Sequence, residues 1–264
     1  MKVLDLFSGI GGFSLGLERA GMKTVAFCEI EPFCRRVLAK HWPGVPIYDD
    51  VRTLTAQRLA ADGISVDVIC GGFPCQDIST AGNGAGLAGE RSGLWREYAR
   101  LIGEVRPRFV FVENVAALLA RGLGDVLGDL AALGYDAEWH CIPAAAIGAP
   151  HRRDRVWIVA HTPRQRCEKE GGLRRYQSTQ WVAGGGETVP DPDGEGVERQ
   201  RDLSSRIGAE LANASNGGWW SVEPDVGRVA HGIPDRVDRT SALGNAVVPQ
   251  IPELIGRAIM SAAA

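Results

Sequence analysis

No stretch of the 264 residues is apolar for long enough to span a bilayer, and Met1-Lys2-Val3-Leu4-Asp5 enters a strand pattern directly, without the basic flank and apolar core of a signal peptide. Neither a membrane role nor secretion is expected. A strong charge of either sign is missing too: 29 basic against 32 acidic residues leave a formal net charge of −3. Any nucleic-acid surface must then be a local patch. The six cysteines, Cys28, Cys34, Cys70, Cys75, Cys141 and Cys167, include no Cys-x-x-Cys pair and no histidine at zinc-ligand spacing, so a zinc site is not expected. The pattern fits a reducing compartment in which a thiol stays free. Internal repeats are absent, and the length suits one large domain or one domain with a small appendage.

What is present is organised around Gly71-Gly72-Phe73-Pro74-Cys75-Gln76-Asp77-Ile78-Ser79. The apolar run 66–70 predicts a buried strand, and two glycines, a proline and a cysteine follow it before any helix can begin. In open α/β sheets the ligand crevice lies at the carboxyl ends of the strands, so Cys75 is delivered to where chemistry is usually done. Pro74 fixes its own φ and restricts Phe73, which stiffens the loop presenting the sulfur. A thiol alone would more often be a buried core residue. Its neighbours argue otherwise.

Residues 3–7 predict a first strand, Ser8-Gly9-Ile10-Gly11-Gly12 a glycine turn, and 13–20 a helix, which together form half of a nucleotide-binding unit. A second strand, 24–28, ends in Glu29, where an acid can accept hydrogen bonds from ribose hydroxyls. The spacing Gly9-x-Gly11-Gly12 departs from the G-x-G-x-x-G that admits a pyrophosphate, so a nucleoside without phosphates fits better than a dinucleotide. A helix over 33–40 precedes a third short strand, 45–51, whose Asp50 could bond an adenine amino group. Residues 79–93 have the composition of a functional loop, and 94–105 predict a helix with Leu94, Tyr98, Leu101 and Ile102 on one face.

The next buried strand, 109–112, is followed at once by Glu113-Asn114. If it lies parallel beside the cysteine strand, Glu113 faces the same crevice as Cys75; capping a helix over 116–133 is its other possible use. Strands 137–142 and 155–160 read as an antiparallel hairpin whose long loop carries His151-Arg152-Arg153, and Arg155 opens an apolar strand, a position that calls for an anionic or carbonyl partner. Periodicity fades over 162–238. Arg164, Arg166, Lys169, Arg174 and Arg175 make its start basic enough to track phosphates, while 184–205 reads as disordered. Order returns with Ala242-Leu243-Gly244-Asn245-Ala246-Val247-Val248-Pro249 and an amphipathic helix, 251–260, expected to pack on the N-terminal part.

Glycine turn, ribose acid, Pro-Cys turn, Glu-Asn strand end, Arg-x-Arg hairpin and Gly-Asn-Ala-Val-Val-Pro, in that order, resemble the motifs of the cytosine-C5 DNA methyltransferases that use S-adenosylmethionine. The resemblance covers nearly all of 1–160 and 241–250. It implies an α/β, doubly wound Rossmann-like S-adenosylmethionine methyltransferase domain, 1–161 with 239–264, carrying a small irregular target recognition segment, 162–238. For the cofactor it implies Asp5, Phe7, Gly9 and Gly11 in the turn, with Phe7 as a wall against adenine. Glu29 would bind the ribose, Ile30 would lie on the adenine with Asp50 and Val51 at its edge, and Gly72, Pro74, Leu94 and Asn245 would complete the methionine end. Cys75 would be the nucleophile, Glu113 the cytosine-binding acid, and Arg153 and Arg155 the arginine pair near the base, with Gln76 and Ser79 also on the substrate side.

The implied partner is double-stranded DNA, its target base flipped from the stack. The chain would act as a cytoplasmic monomer of bacterial or phage origin, without a metal or membrane, and could be paired with a restriction endonuclease. His151-Arg152 depart from the family, where many members carry glutamine and a basic residue. A transfer RNA cytosine is an alternative substrate, and a DNA-binding homologue without activity an alternative role. A nicotinamide oxidoreductase would share the glycine turn but leave Pro74-Cys75 and Glu113 without a task.

Overall fold

Short runs of β-branched and aromatic residues alternate with amphipathic segments, and each run becomes a strand of one sheet within the described residues, 1–74, 93–163 and 236–263 of a computed structural model. The expectations placed on Cys75, Gln76 and Ser79, and nearly all of the recognition segment, lie outside those residues. The strands β1 (Lys2–Leu6), β2 (Lys23–Cys28), β3 (Ile47–Tyr48), β4 (Val68–Gly71), β5 (Phe109–Val115), β6 (Asp136–Pro143) and β7 (Asp154–His161) stand in the order β3-β2-β1-β4-β5-β7-β6. β1 to β5 are parallel, and β7 runs against both of its neighbours. The chain moves outward from β1 to β3 and resumes at β4 on the other side of β1. That reversal makes a topological switch point between β1 and β4, where open sheets bind ligands.

The helices are α1 (Gly12–Arg19), α2 (Pro32–His41), α3 (Ala56–Ala61), α4 (Leu94–Val105), α5 (Leu118–Arg121), α6 (Leu123–Ala132), α7 (Arg236–Asn245) and α8 (Gln250–Ala263). They bury two apolar layers. On one face Trp95, Tyr98, Leu101, Leu118 and Val126 pack on Leu4, Leu6, Val110 and Val112; on the other Phe13, Leu17, Ile251, Leu254, Ile255 and Ile259 pack on Val3, Phe111 and Trp157. This is the doubly wound α/β arrangement expected. The C-terminal helix returns to α1 as its three- and four-residue apolar spacing predicts. A Cβ at Gly16 would lie 2.2 Å from the Pro249 carbonyl oxygen, so only glycine permits that approach.

Three elements differ from the expectations. β5 continues to Val115 because β7 pairs with it up to Val115 opposite Arg155, so Glu113 and Asn114 sit inside the strand. The helix expected over 116–133 is two, parted at Gly122, whose φ of 170° is extended. The strand expected over 45–51 keeps only Ile47–Tyr48, because the Asp50 carbonyl turns the chain by accepting from the Thr53 and Leu54 N–H groups. Helix α3 was not expected. Its N-cap is Thr55, whose side-chain oxygen accepts from the Arg58 N–H.

Asp5 ties β1 to α1. Its Oδ2 accepts from the Ser14 hydroxyl at 2.7 Å and the Ser14 N–H at 3.3 Å, while Oδ1, in a side chain only 1% exposed, has no hydrogen-bond partner among the described residues. Burial pushes this carboxyl up to about 7. The folded state therefore holds the proton more tightly than the unfolded chain, and the resulting stability is present in full below about pH 4 and lost as the pH rises towards 7. Asp5→Asn is expected to remove that decline, on the order of 4 kcal/mol, from denaturant unfolding measured across this range. Equal pH slopes in variant and parent would contradict it.

Candidate active site

Cys28, Leu6, Gly71 and Val112 share one rung across β2, β1, β4 and β5. One residue further along each strand lie Glu29, Phe7, Gly72 and Glu113. Four positions expected for two different ligands thus stand side by side along the carboxyl edge of the sheet, on both sides of the switch point.

On the β1–β2 side, Glu29 is buried, and its two oxygens accept from the Gly9 N–H at 2.7 Å and the Glu31 N–H at 2.8 Å. Those bonds fix the carboxylate while leaving each oxygen a further lone pair. Gly9 has the left-handed φ of 53°, and a Cβ built there would meet nothing within 4 Å, so that side of the turn is open. Gly11 differs: a Cβ would lie 2.6 Å from the Trp42 ring. The indole N–H of Trp42 is donated to Glu18 Oε2 at 3.0 Å and its ring stands edge-on to Phe27 at 5.3 Å, so Trp42 backs the turn from below. Nothing in the local sequence singles out Trp42, because the contact spans about thirty residues.

Phe7 holds a left-handed φ of 52° and lies nearly parallel to Tyr98, with ring centroids 6.2 Å apart. The Tyr98 hydroxyl is donated to the Phe111 carbonyl at 2.8 Å, which anchors that wall to β5. Ile30 is 58% exposed, an apolar side chain presented beside Glu29. Asp50 receives the Arg52 backbone N–H and guanidinium, and the Arg52 side chain holds its carboxyl below the ordinary range. Val51 is buried, its carbonyl accepting from Arg100, and Leu94 opens α4. Asp5 lies behind the turn, its carboxylate bonded to Ser14 and its carbonyl to the Ser8 hydroxyl at 2.6 Å. A fixed acid, an open glycine and an exposed isoleucine suit a nucleoside-sized group.

On the β4–β5 side, Arg155 Nε lies 2.9 Å from Glu113 Oε1, with the two side chains 22% and 12% exposed. Burial raises the Glu113 carboxyl above its ordinary range, and it outweighs the opposing pull of Arg155 and Arg153. Strand alternation sends Asn114 to the opposite face, where it is buried. Its Nδ2 donates to the Phe73 carbonyl at 3.1 Å and its Oδ1 accepts from the Val115 N–H at 2.9 Å. Asn114 therefore pins the chain two residues before Cys75. Pro74 is the last described residue of that loop.

Arg153 and Arg155 take different hydrogen-bond partners. Arg153 donates to the Gly244 and Ala246 carbonyls at 2.9 and 2.6 Å, which brings the C-terminal motif, with an exposed Asn245, onto the hairpin. The motif also meets the glycine turn, since a Cβ at Gly12 would lie 2.6 Å from the Val247 carbonyl oxygen. Among the described residues no group of three or more His, Cys, Asp or Glu is placed to hold a metal, and no helix is long and apolar enough to cross a membrane.

Comparison with known proteins bears directly on this arrangement. The family described as C-5 cytosine-specific DNA methylase matches residues 1–208. The type II methyltransferase M2.BsuMI of Bacillus subtilis (strain 168) is 39% identical over 168 residues, 61% of this chain and 42% of its own length. M.Eco47II of Escherichia coli is 37% identical over 164 residues, 60% of this chain and 39% of that protein. The chain thus spans less than half of these two relatives. A solved Escherichia coli structure, described as a candidate DNA modification methyltransferase encoded within a prophage, superposes over 100% of this chain and 99% of its own, with a TM-score of 0.62 and 19% identity. S. pombe Dnmt2 methyltransferase superposes over 66% of this chain and 51% of its own, with a TM-score of 0.51 and 20% identity. At these identities the two structures speak for the fold.

Proposed function

Because the chain belongs to the C-5 cytosine-specific DNA methylase family, we propose that it transfers a methyl group from S-adenosylmethionine to carbon 5 of a cytosine flipped out of duplex DNA. The observation that carries this reading is the Glu113–Arg155 pair beside Gly72, at the mouth of the loop that leads to Cys75. An acid raised above its ordinary range by burial and a guanidinium stand at the strand end that leads towards the thiol.

Carbon 5 of cytosine is a poor nucleophile. Addition of the Cys75 thiolate to carbon 6 makes the ring electron-rich, and negative charge develops at N3 and O2. Glu113, whose carboxyl burial raises above its ordinary range, would hold or share the proton that meets N3, and Arg155 would stabilise the neighbouring oxygen. Bound S-adenosylmethionine supplies an electrophilic methyl group for carbon 5. Loss of the carbon-5 proton and elimination then restore the ring double bond and release Cys75.

Glu29, Phe7, Gly9, Ile30, Asp50 and Val51 would hold the nucleoside part of the cofactor, and Gly72, Pro74, Leu94 and Asn245 its methionine end. Asp5 and Gly11 shape the turn from behind. Gln76 and Ser79, with the basic start of 162–238, would serve the DNA side of a monomer. The organisms of the type II relatives favour a bacterial or phage source, and the reading adds a cytoplasmic setting and a companion restriction endonuclease.

A Cβ at Gly72 would stand 2.8 Å from Glu113 Oε2. Gly72→Ala is therefore expected to push that carboxylate off its mark and lower turnover by about 100-fold, since misplacement by an ångström has that effect. Single-turnover rates check it, and a change under about threefold would show that the acid's place is not critical.

The function itself is tested by tritiated methyl transfer to duplex DNA and to transfer RNA in parallel. Label in DNA is expected. Label confined to transfer RNA would replace the substrate, and label in neither would overturn the activity.

A further inference from the structure

The geometry points to a task for Arg153 other than contact with the base: it is a positioning residue that fixes the backbone on both sides of Asn245 and so holds the wall of the cofactor pocket from the base side. The inference rests on the functional reading above. Its grounds are the contacts of the guanidinium. Nη1 donates to the Gly244 carbonyl at 2.9 Å and Nη2 to the Ala246 carbonyl at 2.6 Å, so one planar fork brackets Asn245. Gly244 and Asn245 are the last residues of α7, where helix carbonyls lack intrahelical partners and the helix dipole favours a cation.

Arg155, two residues on, is committed elsewhere, to Glu113 at 2.9 Å. In an extended strand the two arginines would share a face. Arg153 instead takes a left-handed φ of 40°, which breaks the alternation just before β7, and the two guanidiniums take different partners. A bulky residue adopts this conformation only where surrounding contacts impose it. The bracketed segment in turn packs on the glycine turn through Val247, and Arg153 lines with Ile10, Gly12, Ala246 and Val247 the cleft of about 290 Å³ between them. Contacts to the base and contacts to the cofactor thus hang from one hairpin.

The test is S-adenosylmethionine binding by titration calorimetry on the full chain, with steady-state methyl transfer to duplex DNA. Arg153→Ala loses two charge-assisted bonds and is expected to raise the cofactor Kd about tenfold or more, with KM for the cofactor rising more than kcat falls. Arg153→Lys keeps the charge but has no fork to span two carbonyls, so its Kd should fall between parent and alanine variant. Arg155→Ala should show the reverse split, a collapse of kcat with a smaller change in Kd. An unchanged Kd in Arg153→Ala together with a kcat loss like that of Arg155→Ala would overturn the assignment. If the alanine variant does not fold, the lysine variant decides: a Kd raised by more than about threefold supports the clamp, and an unchanged Kd overturns it. A parent chain that binds no S-adenosylmethionine would instead sink the functional reading from which the inference starts.

Discussion

Cys75→Ser is expected to lower methyl transfer by at least about 10⁴-fold while leaving S-adenosylmethionine affinity within about threefold of the parent. The size of the loss follows from the chemistry. A serine hydroxyl is hardly ionised near neutrality, and without an attacking thiolate at carbon 6 the ring never becomes electron-rich enough for carbon 5 to take a methyl group. The selectivity follows from the fold. β4 ends at Gly71, Asn114 pins the Phe73 carbonyl, and Pro74 fixes its own φ, so the approach to Cys75 is braced by residues that the substitution does not touch. Glu29, Gly9 and Ile30 lie on the far side of β1. Single-turnover transfer and calorimetric binding on the same preparation separate the two effects. Loss of both together would make Cys75 a structural residue.

Glu113→Gln is expected to reduce turnover by about 10²- to 10³-fold, the range for removal of a general acid or an oriented donor to developing charge. Glutamine fills the same space beside Gly72, so the loss measures chemistry more than packing. It cannot give up a proton, and it gives Arg155 a neutral amide oxygen in place of the acid now 2.9 Å away. The pH profile is the sharper readout. Burial raises the Glu113 carboxyl above its ordinary range, so the parent keeps the active acid form beyond the usual carboxyl pH and loses it as the pH climbs through the raised value. Turnover should therefore fall along a high-pH limb that Glu113→Gln lacks. A limb that persists unchanged in the variant would assign it to another group.

Local pattern carried the elements and failed where distant residues decide. Helix α4 was legible to the residue because its apolar face repeats at helical spacing and glycine precedes it. The β1 turn and Glu29 were legible for the same reason, being one continuous strand-turn-helix-strand unit. That Glu29, Phe7, Gly72 and Glu113 share a line was not, because it depends on the register of four strands. β5 outran its expected end because its partner β7 arrives some forty residues later. The resemblance grouped Arg153 and Arg155 as a pair near the base, and the separate partners they take were not legible. Arg153 has a left-handed φ and bonds to a segment about ninety residues away, partners that no local pattern announces. The bracing role of Asn114 was not legible, because its partner Phe73 comes within reach only when β4 lies beside β5.

The most direct test of covalent catalysis is to incubate the full chain with S-adenosylmethionine and duplex DNA containing 5-fluorocytosine, and then resolve the products on a denaturing gel. Fluorine at carbon 5 cannot leave as a proton does, so elimination stops and the enzyme stays attached. A methylated protein–DNA adduct that forms with the parent and is missing with Cys75→Ser is the expected result. Tritium transferred to ordinary cytosine DNA without any trapped adduct, or an adduct that survives Cys75→Ser, would contradict attack by Cys75 at carbon 6.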